Sequence, residues 1–164
     1  MNAIFERVSS RKYKDQDVEK EKIMQILRAA MQAPSAGDQQ PWEFIIVRDR
    51  QKLEALSHIS KYSGPVSRAP LAIVNIRRKT GLSFPEVSRI DMAICTEHEW
   101  LQAAELGLGA VWIGVAPFED RVQMAGEILR IPEDKEVFSI LPLGYPDQDR
   151  KQKDRFHEDR ISEI

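Results

Sequence analysis

Between Glu86 and Leu106 the chain carries apolar residues at Ile90, Met92, Ala93, Ile94, Trp100, Leu101, Ala103, Ala104 and Leu106. On a helix these positions cover much of the circumference, and Gly107 is a fitting residue to end it. A helix that is apolar on more than one face has to be covered on more than one side. In a chain of 164 residues that requirement predicts a second protein surface, most simply a twin subunit. Cys95 and His98 lie on this helix and read as packing residues.

Length and composition fit one domain over residues 1–164 with a sizeable core, followed from residue 146 by a polar C-terminal extension. Apolar residues make up 42% and charged residues 30% of the chain, an ordinary globular balance. A net charge of −2 argues against a nucleic-acid binder, which needs a broad excess of Lys and Arg. Cys95 is the single cysteine, so an intramolecular disulfide and a multi-cysteine metal site are both excluded. His58, His98 and His157 are scattered, and His98-Glu99 lacks the second His of a zinc-protease helix, so no metal site is expected. No apolar run reaches a membrane span. A soluble, cytoplasmic protein is the expectation.

Periodicity supplies the remaining elements. Residues 2–7 predict a short helix with Ile4 as its main apolar contact. Asp17 predicts an N-cap for a helix of about sixteen residues, with Ile23, Ile26, Leu27, Ala30 and Met31 as its stripe. Phe44 to Val47 read as a buried strand, Asp49 as the cap of a short helix with Leu53 and Leu56 inward, and residues 61–70 as a loop. Leu71–Ile76 form a second strand, followed by a solvated basic turn at Arg77-Arg78-Lys79. Ala110–Val115 form a third strand, Glu119–Leu129 a short helix, and Val137–Leu143 a fourth strand ending at Gly144.

Four stretches carry candidate chemistry. The first is Ala33 to Phe44, APSAGDQQPWEF, a stiff loop between a helix and a strand. Pro34 ends the helix, and Pro41 biases Gln40 towards an extended shape. Ser35, Ala36 and Gly37 leave room for a flat group close to the backbone, and Gln39 and Gln40 offer neutral donors and acceptors. An ordinary turn that tucks Trp42 into the core explains the same residues. The second is RVSSRKY, where Arg7, Ser9 and Arg11 alternate and so share one face of an extended backbone. They fit a phosphate clamp, although a solvated basic segment is the simpler reading of these residues alone. The third, Gly107-Leu108-Gly109, follows a helix and precedes a strand, the reverse of a dinucleotide fingerprint. The fourth is the tail from Asp147, which by composition reads as a flexible charged segment.

Together these stretches resemble the nitroreductase family of FMN-dependent NAD(P)H oxidoreductases. The matching pieces, in order, are Arg7-x-Ser9-x-Arg11, the 33–44 loop, the 107–114 segment, Gly144-Tyr145-Pro146 and Lys153-x-Arg155. Val8 departs from the family's usual basic or polar residue, and Asp38 stands where many members carry Asn. No clear match exists for the Asn and basic residues that some members place over the flavin's pyrimidine ring, and the helical roof of the pocket is minimal.

The resemblance implies an α+β three-layer sandwich, a four-stranded mixed sheet between helices, dimerised through the long helix with two shared active sites. It implies tightly bound FMN held by Arg7, Val8, Ser9 and Arg11, by Val111, Ile113 and Gly114, and by Lys153 and Arg155. The Pro34-Ser35-Ala36 loop would come from the other subunit, and Asp38 and Gln39 are also implied to bind the cofactor. NAD(P)H would deliver hydride to flavin N5, and an electron-poor acceptor such as a nitroaromatic or quinone would take it. No side chain is required as a catalyst, although Arg11 is the candidate for stabilising charge near flavin N1 and O2. A non-redox flavin-binding or regulatory module, and a flavin-fragmenting or dehalogenating relative, remain on the same fold.

Overall fold

The computed structural model describes residues 2–148 and 151–164. Its centre is an antiparallel sheet, ordered β1 (Trp42–Val47), β2 (Leu71–Arg78), β5 (Lys135–Gly144), β3 (Gly109–Ala110), with β4 (Ile113–Gly114) also paired to β5. Every strand pair is antiparallel. Where a mixed sheet was expected, the parallel contact is a single bridge between Ser9 and Ala110. The strand expected over 110–115 is broken into two short pieces, because the chain leaves the ladder at Val111 and Trp112.

Alternation along β2 sends side chains to two helical layers, the expected three-layer arrangement. Ala72, Val74 and Ile76 join Leu53 and Leu56 of α3 (Arg50–Leu56), Val66 of α4 (Pro65–Arg68) and Ala125 of α6 (Glu119–Leu129). Leu71 and Ile73 face Ile23, Ile26 and Leu27 of α2 (Lys20–Ala30) and Ala103 of α5 (Ser88–Glu105). Leu53 and Leu56 are fully buried, each contributing roughly 1.5–3 kcal/mol. Asp49 caps α3 as expected, accepting from Lys52 N at 2.9 Å. Gly107 ends α5 with φ +74°, where a Cβ would be strained.

Several expectations are corrected. Asp17 does not cap α2: Val18 is drawn into the core, the helix begins at Lys20, and Asp17 lies 3.6 Å from Arg48 instead. Ile4, on α1 (Ala3–Glu6), and Ile46, on β1, are exposed rather than packed. The 61–70 loop contains α4. Arg77 and Arg78 belong to β2 rather than to a solvated turn. Arg77 lies opposite Glu136 in the ladder, buried, and donates to its Oε1 at 2.7 Å and to Ser88 Oγ at 2.8 Å. Burial works to raise the Glu136 carboxyl, but hydrogen bonds from Arg89 and Arg77 outweigh it and hold it below the usual range.

A polar cluster sits inside the α5 layer. Asn75 Nδ2 faces Glu99 Oε2 at 2.8 Å, Ser139 Oγ at 3.0 Å and Thr96 Oγ1 at 3.2 Å, three acceptors for two hydrogens. The Thr96 hydroxyl reaches Met92 O at 2.9 Å. Asn75 Oδ1 and Glu99 Oε1 are buried without a partner.

Candidate functional site

The two ends of the chain meet. After α1 the backbone runs extended, and Ser10 N donates to Ala110 O at 2.9 Å. Ser10 packs so closely on Gly109 that a Cβ there would lie 2.7 Å from its side chain. From the other end, Gln152 Nε2 donates to Arg7 O at 2.8 Å and Gln148 Nε2 to Ser9 O at 3.3 Å. These amides lay the polar tail along the 7–11 segment. Between them is a cleft of about 460 Å³ lined by Arg7, Val8, Ser9, Arg11, Lys153 and Arg155, together with Lys151 and Gln152. The composition of the tail alone predicts a flexible segment, whereas the two Gln side chains anchor it to the 7–11 backbone.

Arg7 is held in place from below. Its guanidinium carbon lies 3.9 Å from the centre of the Trp100 ring and its Nε lies 3.6 Å from Glu97. Trp100 is itself fixed by donating to Ala110 O at 3.1 Å. Burial pushes the Glu97 carboxyl up, with Arg7 opposing.

Arg11 also lines a second cavity, of about 480 Å³, with Val111, Trp112, Ile113 and Gly114 along one side. Gly114 lacks a side chain where a Cβ would meet no atom within 4 Å, so its backbone stays open to the cavity. The opposite side is made by Ser60, Lys61, Tyr62, Gly64, Pro65 and Arg68, with Arg121 from α6. Arg121 Nη1 donates to Gly114 O at 2.9 Å. The sequence carries no signal for these residues, because 61–68 has no periodic pattern and one Arg on a helix turn looks like any other.

The 34–39 loop lines neither cavity. Ala36 N donates to Asp91 Oδ1 at 3.1 Å, at the start of α5. Gln39, nearly buried, donates to Asp91 Oδ2 at 2.6 Å and Phe84 O at 3.0 Å, and accepts from Phe84 N at 2.9 Å. Its amide is therefore committed within the protomer. Gly37 adopts φ +56° with the Phe84 ring 2.6 Å from where a Cβ would stand. Gln40 is not extended: its φ is +44°, held by its N–H to Ser35 Oγ at 3.0 Å and its side chain to Asp38 Oδ1 at 2.8 Å. Arg78 donates to the carbonyls of Gln39 and Gln40. Local hydrogen bonds thus override the preference that Pro41 imposes on its neighbour. Trp42 is buried, as the simple turn explanation requires.

The arrangement joins a cation-lined cleft to an open backbone strand and an aromatic-containing cavity, with Arg11 at the junction. Among the described residues no helix is long and apolar enough to cross a membrane.

Comparison with known proteins agrees with the fold and the motifs. The Nitroreductase family model matches residues 4–80 and 61–145. A Methanothermobacter thermautotrophicus protein, provisionally named NADH dehydrogenase/NAD(P)H nitroreductase, is 43% identical over 161 residues, 98% of this chain and 84% of that protein. The structure of a provisionally named NADH oxidase from Clostridium acetobutylicum superposes with TM-score 0.95 at 45% identity, covering 98% of this chain and 97% of that one. An FMN-dependent nitroreductase from Clostridium difficile superposes with TM-score 0.90 at 35% identity, covering 98% and 96%. With its motifs in order, its helical layers on both faces of the sheet and a family match over most of its length, this chain belongs to the nitroreductase family.

Proposed function

We propose that the protein is an FMN-dependent oxidoreductase that takes electrons from NAD(P)H and passes them to a small electron-poor acceptor such as a nitroaromatic or quinone. The observation that carries this reading is the pair of cavities joined through Arg11. Arg7, Arg11, Lys151, Lys153 and Arg155 line the first, with no carboxylate in that lining among the described residues, which suits a phosphate dianion. The second offers an open backbone at Gly114 and a Trp112 side, which suit a flat ring. When bound, FMN supplies the redox chemistry, accepting hydride at N5 and returning electrons to the acceptor.

The chain's own residues bind and orient. Arg7, stacked on Trp100, and Ser9 meet the phosphate with Lys153 and Arg155, while Val8 packs beside them. Val111, Ile113 and Gly114 present main chain to the ring edge. Arg11 would favour negative charge at the N1 and O2 end of the ring. No side-chain acid or base is needed at the reacting atoms.

The active site is completed by a second copy of the chain. Pro34, Ser35, Ala36 and Asp38 line neither cavity of their own protomer, and Ile90 on α5 is 60% exposed. Ile4, Phe5, Leu101 and Phe156 also line an apolar groove of about 740 Å³ that a twin subunit would cover. In this dimer the loop at Pro34 reaches the flavin of the partner, with Gln39 bracing the loop through Asp91. The test is a visible spectrum of the purified protein, then aerobic titration with NADH and NADPH. A yellow protein that is bleached and recovers with acceptor is expected. Colourless protein that refuses added FMN would overturn the reading, and yellow protein that oxidises neither nucleotide would leave a flavin-binding module.

A further inference from the structure

The cavity beside Val111–Gly114 carries more positive charge than a flavin ring calls for. Arg11, Lys61, Arg68 and Arg121 line it, and no carboxylate does. Among the described residues none of these four lies in an ion pair. If the phosphate of FMN is met in the other cleft, Lys61, Arg68 and Arg121 remain without an anion. Converging like charges disfavour the free protein and favour an anionic ligand.

Arg121 is fixed beside Gly114 by donating to its carbonyl and by the Phe118 ring, whose centre lies 3.9 Å from its guanidinium carbon. Lys61 lies over the Tyr62 ring at 5.0 Å. Arg68 is exposed and lines both this cavity and an adjoining one of about 500 Å³, where Arg48 and Arg50 are accompanied by Asp15 and Asp17. Arg48 and Arg50 are tied to backbone carbonyls at Val18, Ser67 and Ala69. Arg68 is thus an open fork of donors shared by the two cavities, with the carboxylates confined to the adjoining one.

We propose that Lys61, Arg68 and Arg121 bind the diphosphate of the reducing dinucleotide, with Arg68 marking where it leaves the flavin cavity. This rests on the FMN oxidoreductase reading above. A guanidinium fork suits a diphosphate, whose paired oxygens it can engage two at a time. The residues act on binding of the reductant, not on its chemistry.

The experiment uses FMN-loaded protein and ADP-ribose, which keeps the diphosphate and lacks the nicotinamide. Calorimetry on wild type, Arg68→Ser and Arg68→Lys should show ADP-ribose weakened about tenfold or more by Ser and partly restored by Lys. KM for the intact dinucleotide should rise in Arg68→Ser. KM for a truncated dihydronicotinamide without phosphates should not. Equal ADP-ribose affinity in wild type and Arg68→Ser, or an equal loss with the truncated reductant, would overturn the proposal while the flavin reading stands. Wild-type protein that takes up no FMN would instead remove the reading beneath it.

Discussion

Replacing Glu99 by Gln should flatten the dependence of stability on pH. Burial pushes the Glu99 carboxyl up to about 8, with the hydrogen bond from Asn75 working against it, from an ordinary value of 4.5. The side chain is fully buried, and its Oε1 and Asn75 Oδ1 both lack a donor. One proton on the acid offers that missing donor, whereas the carboxylate leaves both oxygens unsatisfied. The sign follows from the raised value. Below the unfolded value both states hold the proton, and its contribution is complete. As pH climbs towards the folded value the unfolded chain has lost the proton and the native one retains it, so stability falls. The slope is at most about 1.4 kcal/mol per pH unit, or roughly 4 kcal/mol between about pH 5 and pH 8. Above the folded value the difference is constant. Gln offers an N–H donor at every pH, so the variant should lack this slope. Urea unfolding of both proteins across that range measures it, and the difference between the two curves isolates Glu99 from the other carboxylates. Curves that run parallel from acid to alkaline pH would refute the neutral-acid argument.

Three further outcomes are expected. Arg7→Ala combined with Arg155→Ala should strip FMN from a folded protein, at about 1.5–3 kcal/mol for each charged hydrogen bond removed; unchanged affinity by flavin fluorescence would refute the phosphate assignment. Arg77→Ala should destabilise by about 3 kcal/mol in denaturant unfolding, since Glu136 stays buried with only Arg89 to meet it. Leu101→Lys should raise monomer and FMN loss together on dilution, followed by sedimentation and fluorescence of one series; a monomer that keeps FMN as tightly would sink the shared site. Ala103 would be a poor probe for this, because it is buried inside its own protomer.

Much of the architecture was legible because periodicity reports burial directly. The bounds of α6 and the cap at Asp49 follow from local signals that nothing nearby contradicts. Asp17 misled because a good capping residue was followed by Val18, and the core took the valine. Arg77 misled for the converse reason: an arginine in a basic run reads as solvated unless its partner is known, and Glu136 lies far along the chain. In the candidate site, Arg7, Ser9 and Arg11 could be found from alternation. Lys61, Arg68 and Arg121 could not, because what unites them is a cavity built from three separate segments. The amide of Gln39 was read as open to a ligand, yet its partners Phe84 and Asp91 lie beyond the reach of any local rule.

The meeting of the two chain ends has a consequence for how the protein is made. Residues 7–11 are synthesised before residues 152–155, and Gln152 must find Arg7 across 145 positions of sequence. The β1–β2 ladder can form during synthesis, but β2 gains its second neighbour only once β5 has emerged. The cation-lined cleft closes later still. Completion of the cleft proposed for the flavin phosphate is therefore a late event in biogenesis, and a nascent chain stalled before Lys151 should carry a folded hairpin and an incomplete cleft.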